Sequence, residues 1–210
     1  MLEVASVHVP KSAGTSFIEV LKHWYGPTLS LEYTCNGTVD RVEPWTRARH
    51  GHFRATEHEA QHLVTWMRDP AKRLVSHYFY WRVTPPVARV DPTHQMMREQ
   101  NTPLLEFAEI PEMRNLTAWY LDGRDVDDFS FVGIAEALGP EVGRLARILG
   151  KPPVAPPHIN DTKTAEYLAF QASSDYAATM QRIRELNSLD YELYDQARDR
   201  MQRYWDSFAA

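Results

Sequence analysis

Val4, Ala5, Val7 and Val9 form a short apolar run, and Phe17, Ile18, Val20, Leu21 and Trp24 recur at helical spacing just beyond it. This pattern predicts a buried parallel strand, a tight loop and an amphipathic helix. Arg47 to Phe53 reads as a short strand that puts His50 and His52 on one face. Leu63 to Met67 is a second apolar β-run, and Pro70, after Asp69, suits the first turn of a helix over Ala71 to Arg82. Gly26 to Pro44 mixes Pro, Gly, Asn and Thr with scattered apolar residues, which predicts a loop or short irregular strands. Residues 83 to 102, with three prolines, predict a long excursion, followed by helical stretches near Pro103 to Glu109 and Asn115 to Tyr120. Phe129 to Ile134 alternates as a strand with a helix behind it over Glu136 to Leu149. The proline-rich Lys151 to Pro157 leads to a polar loop, His158 to Lys163, and then to two or three helices, the last from about Leu189 to Phe208. Alternating strands and helices imply an α/β fold with a mainly parallel sheet and helices on both faces, and ligands in such sheets sit beyond the carboxyl ends of the strands.

The chain of 210 residues is long enough for one sizeable core, so a single domain over residues 1 to 210 is expected. Its 6 Trp and 10 Tyr exceed what a disordered chain carries, so it folds by burial. Cys35 is the lone cysteine, which forbids an intramolecular disulfide, fits a reducing compartment and excludes most zinc-ribbon readings. No run of 18 apolar residues and no basic-then-apolar leader is visible, so neither a membrane span nor secretion is expected, and the location is read as cytoplasmic. A net charge of -5 argues against broad binding to nucleic acid, so any anion site must be built locally. Oligomeric state is not legible.

The chemistry concentrates first in His8-Val-Pro-Lys-Ser-Ala-Gly-Thr-Ser-Phe17. Between a strand and a helix, the backbone N–H groups of Ala13 to Ser16 are first-turn donors at the positive end of the helix dipole, facing any anion held there. Lys11, Thr15 and Ser16 add a charge and two hydroxyls. This is not a Walker A loop, because Lys11 precedes the only glycine by three positions. An ordinary strand-to-helix turn with an exposed lysine is the competing reading of this stretch. The second block, Arg68-Asp-Pro70 with Arg73, Ser76 and Tyr78, places Arg68 at a strand end and Ser76 two turns into the next helix, where a guanidinium fork and a hydroxyl can hold one anion. The bland alternative pairs Arg68 with Asp69 and leaves Ser76 on a solvated face. His58-Glu59-Ala-Gln-His62 satisfies the zinc-protease pattern, but the segment is too short for the long helix that pattern occupies, and Thr65 and Arg68 stand where the extended form needs Gly and His. A solvated helical turn is the expectation there, with no metal.

Taken together and in order, these blocks resemble the PAPS-dependent sulfotransferases (PAPS is 3′-phosphoadenosine-5′-phosphosulfate), and most closely the carbohydrate type that includes the heparan and dermatan 2-O-sulfotransferases. Pro10 to Ser16 is similar to that family's 5′-phosphosulfate loop, Arg68-Asp-Pro with Arg73 to Ser76 and Tyr78 to its 3′-phosphate motif, and His50-Gly-His52-Phe to its His-Gly-His element. Phe131 to Glu136 and Asp190 to Tyr194 resemble later landmarks. The resemblance implies a three-layer, P-loop nucleotide-kinase-like fold with a helical C-terminal part, PAPS as co-substrate and no metal. It assigns Lys11 to the bridging oxygen and sulfuryl group, Ser12, Ala13, Gly14, Thr15 and Ser16 to the 5′-phosphate, and Arg68 and Ser76 to the 3′-phosphate. His52 becomes the general base, His50 an orienting or acceptor-binding neighbour, and the loop with His158, Asn160, Thr162 and Lys163 a closure over the nucleotide.

The implied reaction moves a sulfuryl group to a hydroxyl of a carbohydrate or small-molecule acceptor. The acceptor itself is not legible: relatives acting on sulfated glycans need basic grooves, and this chain is acidic, so a glycan, glycolipid or small hydroxylated metabolite stays open. Trp81, Arg82, Trp119 and Tyr120 are readable as cleft or as core. A nucleotide kinase or ATPase, and a non-catalytic nucleotide-binding domain, are the rival functions.

Overall fold

A computed structural model describes residues 2–33, 43–86, 92–157 and 164–208. Five strands form one sheet in the order β2-β3-β1-β4-β5: β1 (Leu2–Val7), β2 (Leu29–Glu32), β3 (Ala48–Gly51), β4 (Ala60–Met67) and β5 (Phe131–Ile134). Every neighbouring pair is parallel, with Val7 opposite Gly51 on one side and Thr65 on the other. The three central strands therefore end at nearly one level, and the residues after them share one rim. Strand β2 lies inside the stretch expected to be loop or irregular strand.

Side-chain alternation splits the core in two. Val4, Val64, Trp66 and Phe131 point to one face and meet Phe17, Val20 and Leu21 of α1 (Gly14–Tyr25), with Val142 and Leu145 of α6 (Leu138–Ile148). Ala5, Val7, Met67, Val132 and Ile134 point to the other face. There they meet α2 (Pro70–Val83), α4 (Leu104–Glu109), α5 (Leu116–Leu121), α8 (Tyr176–Leu186) and α9 (Ser188–Asp206). The result is a three-layer α/β fold with a parallel central sheet and a helical C-terminal part, completed by α7 (Ala165–Gln171). Helix α3 (Pro92–Glu99) rises within the predicted excursion and is pinned to α2: His94 stacks on Trp81 at 4.5 Å, and His94 Nε2 is 2.9 Å from the Trp81 carbonyl.

Two buried polar contacts set the rim's geometry. Asp190, fully buried, accepts from the N–H groups of Thr117 and Ala118 at 3.0 and 2.8 Å, capping α5 and thereby aiming Tyr120. Next to it in sequence, the Tyr191 hydroxyl donates to the Asp69 carboxylate at 3.1 Å, while that carboxylate also accepts from Lys72 N–H as the cap of α2. The late Asp190-Tyr191 segment thus holds the element that carries Arg68. At the other edge, Glu32 pairs with buried Arg49 at 2.6 Å, tying β2 to β3. Among the described residues no helix is long and apolar enough to cross a membrane.

Candidate functional site

His8, His52 and Arg68 each stand one residue past the carboxyl end of β1, β3 and β4, so the parallel register alone brings them to one rim. The loop between β1 and α1 completes it. Lys11 and Ala13 adopt positive φ, 68° and 64°, in the left-handed region that costs a non-glycine residue about 1–2 kcal/mol. Strain of this kind persists only where the surroundings impose it, and it clusters at functional sites. The helical ladder starts at Phe17 N–H, which donates to the Ala13 carbonyl at 3.1 Å, and amides ahead of such a bond have no acceptor within the helix. Among the described residues no side chain caps this helix start. Beside them, Ser12 is fully buried and its hydroxyl has no hydrogen-bond partner among the described residues, while Thr15 is exposed and Ser16 buried.

Arg68 Nη1 donates to the Lys11 carbonyl at 3.3 Å, joining the two sequence blocks, and half-buried Ser76 lies on the helix that follows Arg68. The Lys11 ammonium rests 3.9 Å from the ring centre of Tyr80, nearly three turns along α2. Burial, and to a lesser degree the charge of Arg68, push Lys11 down to about 8, so the site already stores unpaired positive charge that a bound anion would stabilise.

Three imidazoles pack together over the end of β3. His8 stacks on His50 with centroids 5.0 Å apart and planes 19° off parallel, and lies 4.8 Å from His52. His50 is fully buried, with Nδ1 2.8 Å from the Ser6 hydroxyl, whereas His52 is only half-buried. Among the described residues the Nε2 atoms of both have no partner. Burial takes His52 down to about 4, and burial with the neighbouring His52 takes His50 down to about 3. His8 also lies well below 6.5, from burial first and then from His50, His52 and Lys11. All three are neutral near pH 7, the state in which an imidazole can accept a proton. Tyr33 and Tyr120 close the cluster, with centroids 4.8 and 6.1 Å from that of His52. Close approach explains both glycines here: a Cβ on Gly14 would lie 1.8 Å from His8 Nε2, and one on Gly51 would lie 1.8 Å from the Glu32 carbonyl oxygen.

Lys11, Ser12, Ala13, Gly14, Thr15, Ser16, Arg68, His50 and His52 are therefore brought to one rim, with Ser76 on the adjoining helix. Lys163, with His158, Asn160 and Thr162, lies outside the described residues, as does Cys35. The zinc-protease pattern sits otherwise than expected. His58 and Glu59 lie in a connection without regular structure and His62 is on β4, so no helical turn exists there, and His58 Nε2 lies 3.0 Å from a Glu32 carboxylate oxygen. No group of three His, Cys, Asp or Glu among the described residues is placed to hold a metal ion. Of the doubtful aromatics, Trp81 and Tyr120 are buried and Trp119 is half-exposed beneath Arg54, while Arg82 pairs with Glu166 at 3.2 Å. Sequence reasoning missed His8, Tyr33 and Tyr80. A signal existed for His8, the polar residue between Val7 and Val9 of the apolar run, but none for the tyrosines, whose places depend on packing.

No family model matches the chain, and no curated protein matches it. Solved structures do match, among them the crystal structure of mouse sulfotransferase SULT7A1 complexed with PAP, at 13% identity and a TM-score of 0.41. That match covers 84% of this chain and 66% of the mouse chain, just under two thirds of its length. A likeness of this degree does not fix a function, which has to be argued from the residues of the rim.

Proposed function

We propose that this chain is a PAPS-dependent sulfotransferase, moving the sulfuryl group to a hydroxyl of a carbohydrate or small-molecule acceptor by in-line displacement. The observation that supports it most is the Arg68–Lys11 link. Two anion-binding blocks 57 residues apart join at one rim, with a neutral imidazole beside them. The donor fits what is present. The first-turn amides and the buried, unpartnered Ser12 hydroxyl suit its 5′-phosphate, and Arg68 with Ser76 suits its 3′-phosphate. Lys163 would add to this grip from the loop beyond Pro157.

In the reaction the acceptor oxygen bonds to sulfur as the sulfur–oxygen bond to the 5′-phosphate breaks, and the hydroxyl proton passes to an imidazole nitrogen. His52 is assigned as that base because it is half-buried, whereas His50 is sealed and engaged by Ser6. His50 then orients its neighbour. Lys11 leaves Tyr80 for the bridging oxygen, where negative charge grows as the bond breaks. No metal is required by these steps.

Thermal shift with adenosine 3′,5′-bisphosphate in the absence of magnesium, followed by a screen of hydroxylated acceptors with radiolabelled PAPS, tests the reading. Bound product stabilises the native state by mass action, so the melting temperature should rise with bisphosphate and not with ATP and magnesium. His52→Ala should abolish label transfer without removing that shift. Stabilisation by ATP and magnesium alone would instead indicate a kinase, and bisphosphate binding without histidine-dependent turnover a non-catalytic domain.

A further inference from the structure

We infer that His8 is a positioning residue, a lever through which occupancy of the Pro10–Ser16 loop sets the orientation of the His52 imidazole. The inference rests on the sulfotransferase reading for the identity of the loop's ligand, but its geometry is independent of it. In the strand order β2-β3-β1, His8 leaves the end of β1 and reaches over β3 to the end of β2, where its Nδ1 and the Tyr33 hydroxyl are hydrogen-bonded at 2.9 Å. Its ring thereby roofs His50 and flanks His52. The opposite edge of the ring bears on Gly14, the first residue of α1, so closely that a methyl group there would overlap Nε2. One side chain therefore touches the first turn of the helix whose amides face an anion and the imidazole that would take the proton.

A ring serving only to fill space would need no polar edge. Phenylalanine could stack on His50, but only a polar atom at that position can hold the hydroxyl of Tyr33, whose ring meets His52 edge-on at 4.8 Å. His52 is thus held by three rings, from β1 (His8), β2 (Tyr33) and α5 (Tyr120). Two of the three are joined by the His8–Tyr33 bond. The titratable groups facing His52 are His8, His50, Tyr33 and Tyr120, with His77 of α2 and Lys11 at longer range. Displacing Gly14 by binding an anion on the loop presses on the His8 ring, and packed interiors pass such shifts on because they do not deform continuously.

The test compares wild type with His8→Ala, His8→Asn and Tyr33→Phe, following the His52 imidazole by NMR titration with and without adenosine 3′,5′-bisphosphate, alongside kcat and donor KM. In wild type the bisphosphate should move the His52 titration, and in His8→Ala that response should vanish. Loss of the lever should lower kcat by about tenfold to a hundredfold, the cost of a misplaced catalytic group, with donor KM little changed. The Asn variant keeps a polar group toward Tyr33 and should recover part of kcat, whereas Tyr33→Phe should resemble His8→Ala. An undiminished His52 response in His8→Ala overturns the inference, as does a fall in activity that only tracks loss of folded protein. A bisphosphate that raises the melting temperature of wild type yet leaves its His52 titration unmoved removes the lever, whereas one that does neither removes the donor assignment, and inorganic pyrophosphate becomes the probe of the loop. A His52 response to pyrophosphate that needs His8 would then uphold the lever, and one that does not, or none at all, would remove it.

Discussion

Burying three neutral imidazoles beside one another makes the fold sensitive to acid in a way that can be calculated. His50 falls from the usual 6.5 to about 3 and His52 to about 4 on folding. Because these values are depressed for basic groups, the unfolded chain binds more protons than the folded one once the pH drops below about 6.5, so stability is lost as pH falls toward the folded values. At pH 5 each of the two costs about 2 kcal/mol relative to pH 7.5, and the pair about 4 kcal/mol. That is a large share of a total near 5–15 kcal/mol. His8 and His77, also lowered well below 6.5 by burial, add to the loss in the same direction. Urea unfolding followed by tryptophan fluorescence should therefore show the midpoint falling by at least about 2 M between pH 7.5 and 5 for a slope near 2 kcal/mol/M. Carboxylates titrate in the lower part of this range and His8 and His77 remain, so the double variant His50→Asn/His52→Asn supplies the comparison, and its pH dependence should be smaller than the parent's by the pair's share, about 4 kcal/mol between pH 7.5 and 5, whatever its stability at pH 7.5. Equal pH dependence in variant and parent would mean that the imidazoles are not held neutral by burial, and the basis for a neutral proton acceptor at this rim would go with it.

Lys11→Ala should reduce label transfer by about 10²–10³-fold, the usual cost of losing one donor aimed at developing charge, and retained turnover would free Lys11 from that role. Arg68→Ala should weaken binding of adenosine 3′,5′-bisphosphate by about tenfold to a hundredfold in calorimetry, from the loss of a charge-assisted bond worth about 1.5–3 kcal/mol. An unchanged dissociation constant would exclude Arg68 from the nucleotide. Gly14→Ala forces its methyl against His8 Nε2 and should cost about 1–3 kcal/mol in chemical denaturation, as overpacking does. Neutral stability there would contradict the close seat of the ring.

The main elements of this chain are legible in its sequence because they follow from local periodicity. Valines around Val7 mark the first strand, the spacing from Phe17 to Trp24 marks the helix after it, and Pro70 marks the start of α2. So does the order of the two basic blocks. What periodicity could not show is whatever depends on strands finding their neighbours. Leu29–Glu32 has too few residues to announce itself as a strand, and it becomes one because β3 offers it an edge and Arg49 offers Glu32 a buried charge. His58-Glu-x-x-His62 looks like a helical metal motif on paper, yet parallel pairing with β1 draws its second half into a strand. Likewise, the clustering of His8 with His50 and His52 arises from the shared level at which β1 and β3 end, 44 residues apart in sequence. The parking of Lys11 on Tyr80 and the capping of α5 by Asp190 are of the same kind. Local sequence determined most of the elements and where their ends carry charge, since these depend on neighbours within a few residues. The tertiary fold decided which ends meet, since only the sheet's order and register bring together groups that the chain keeps far apart.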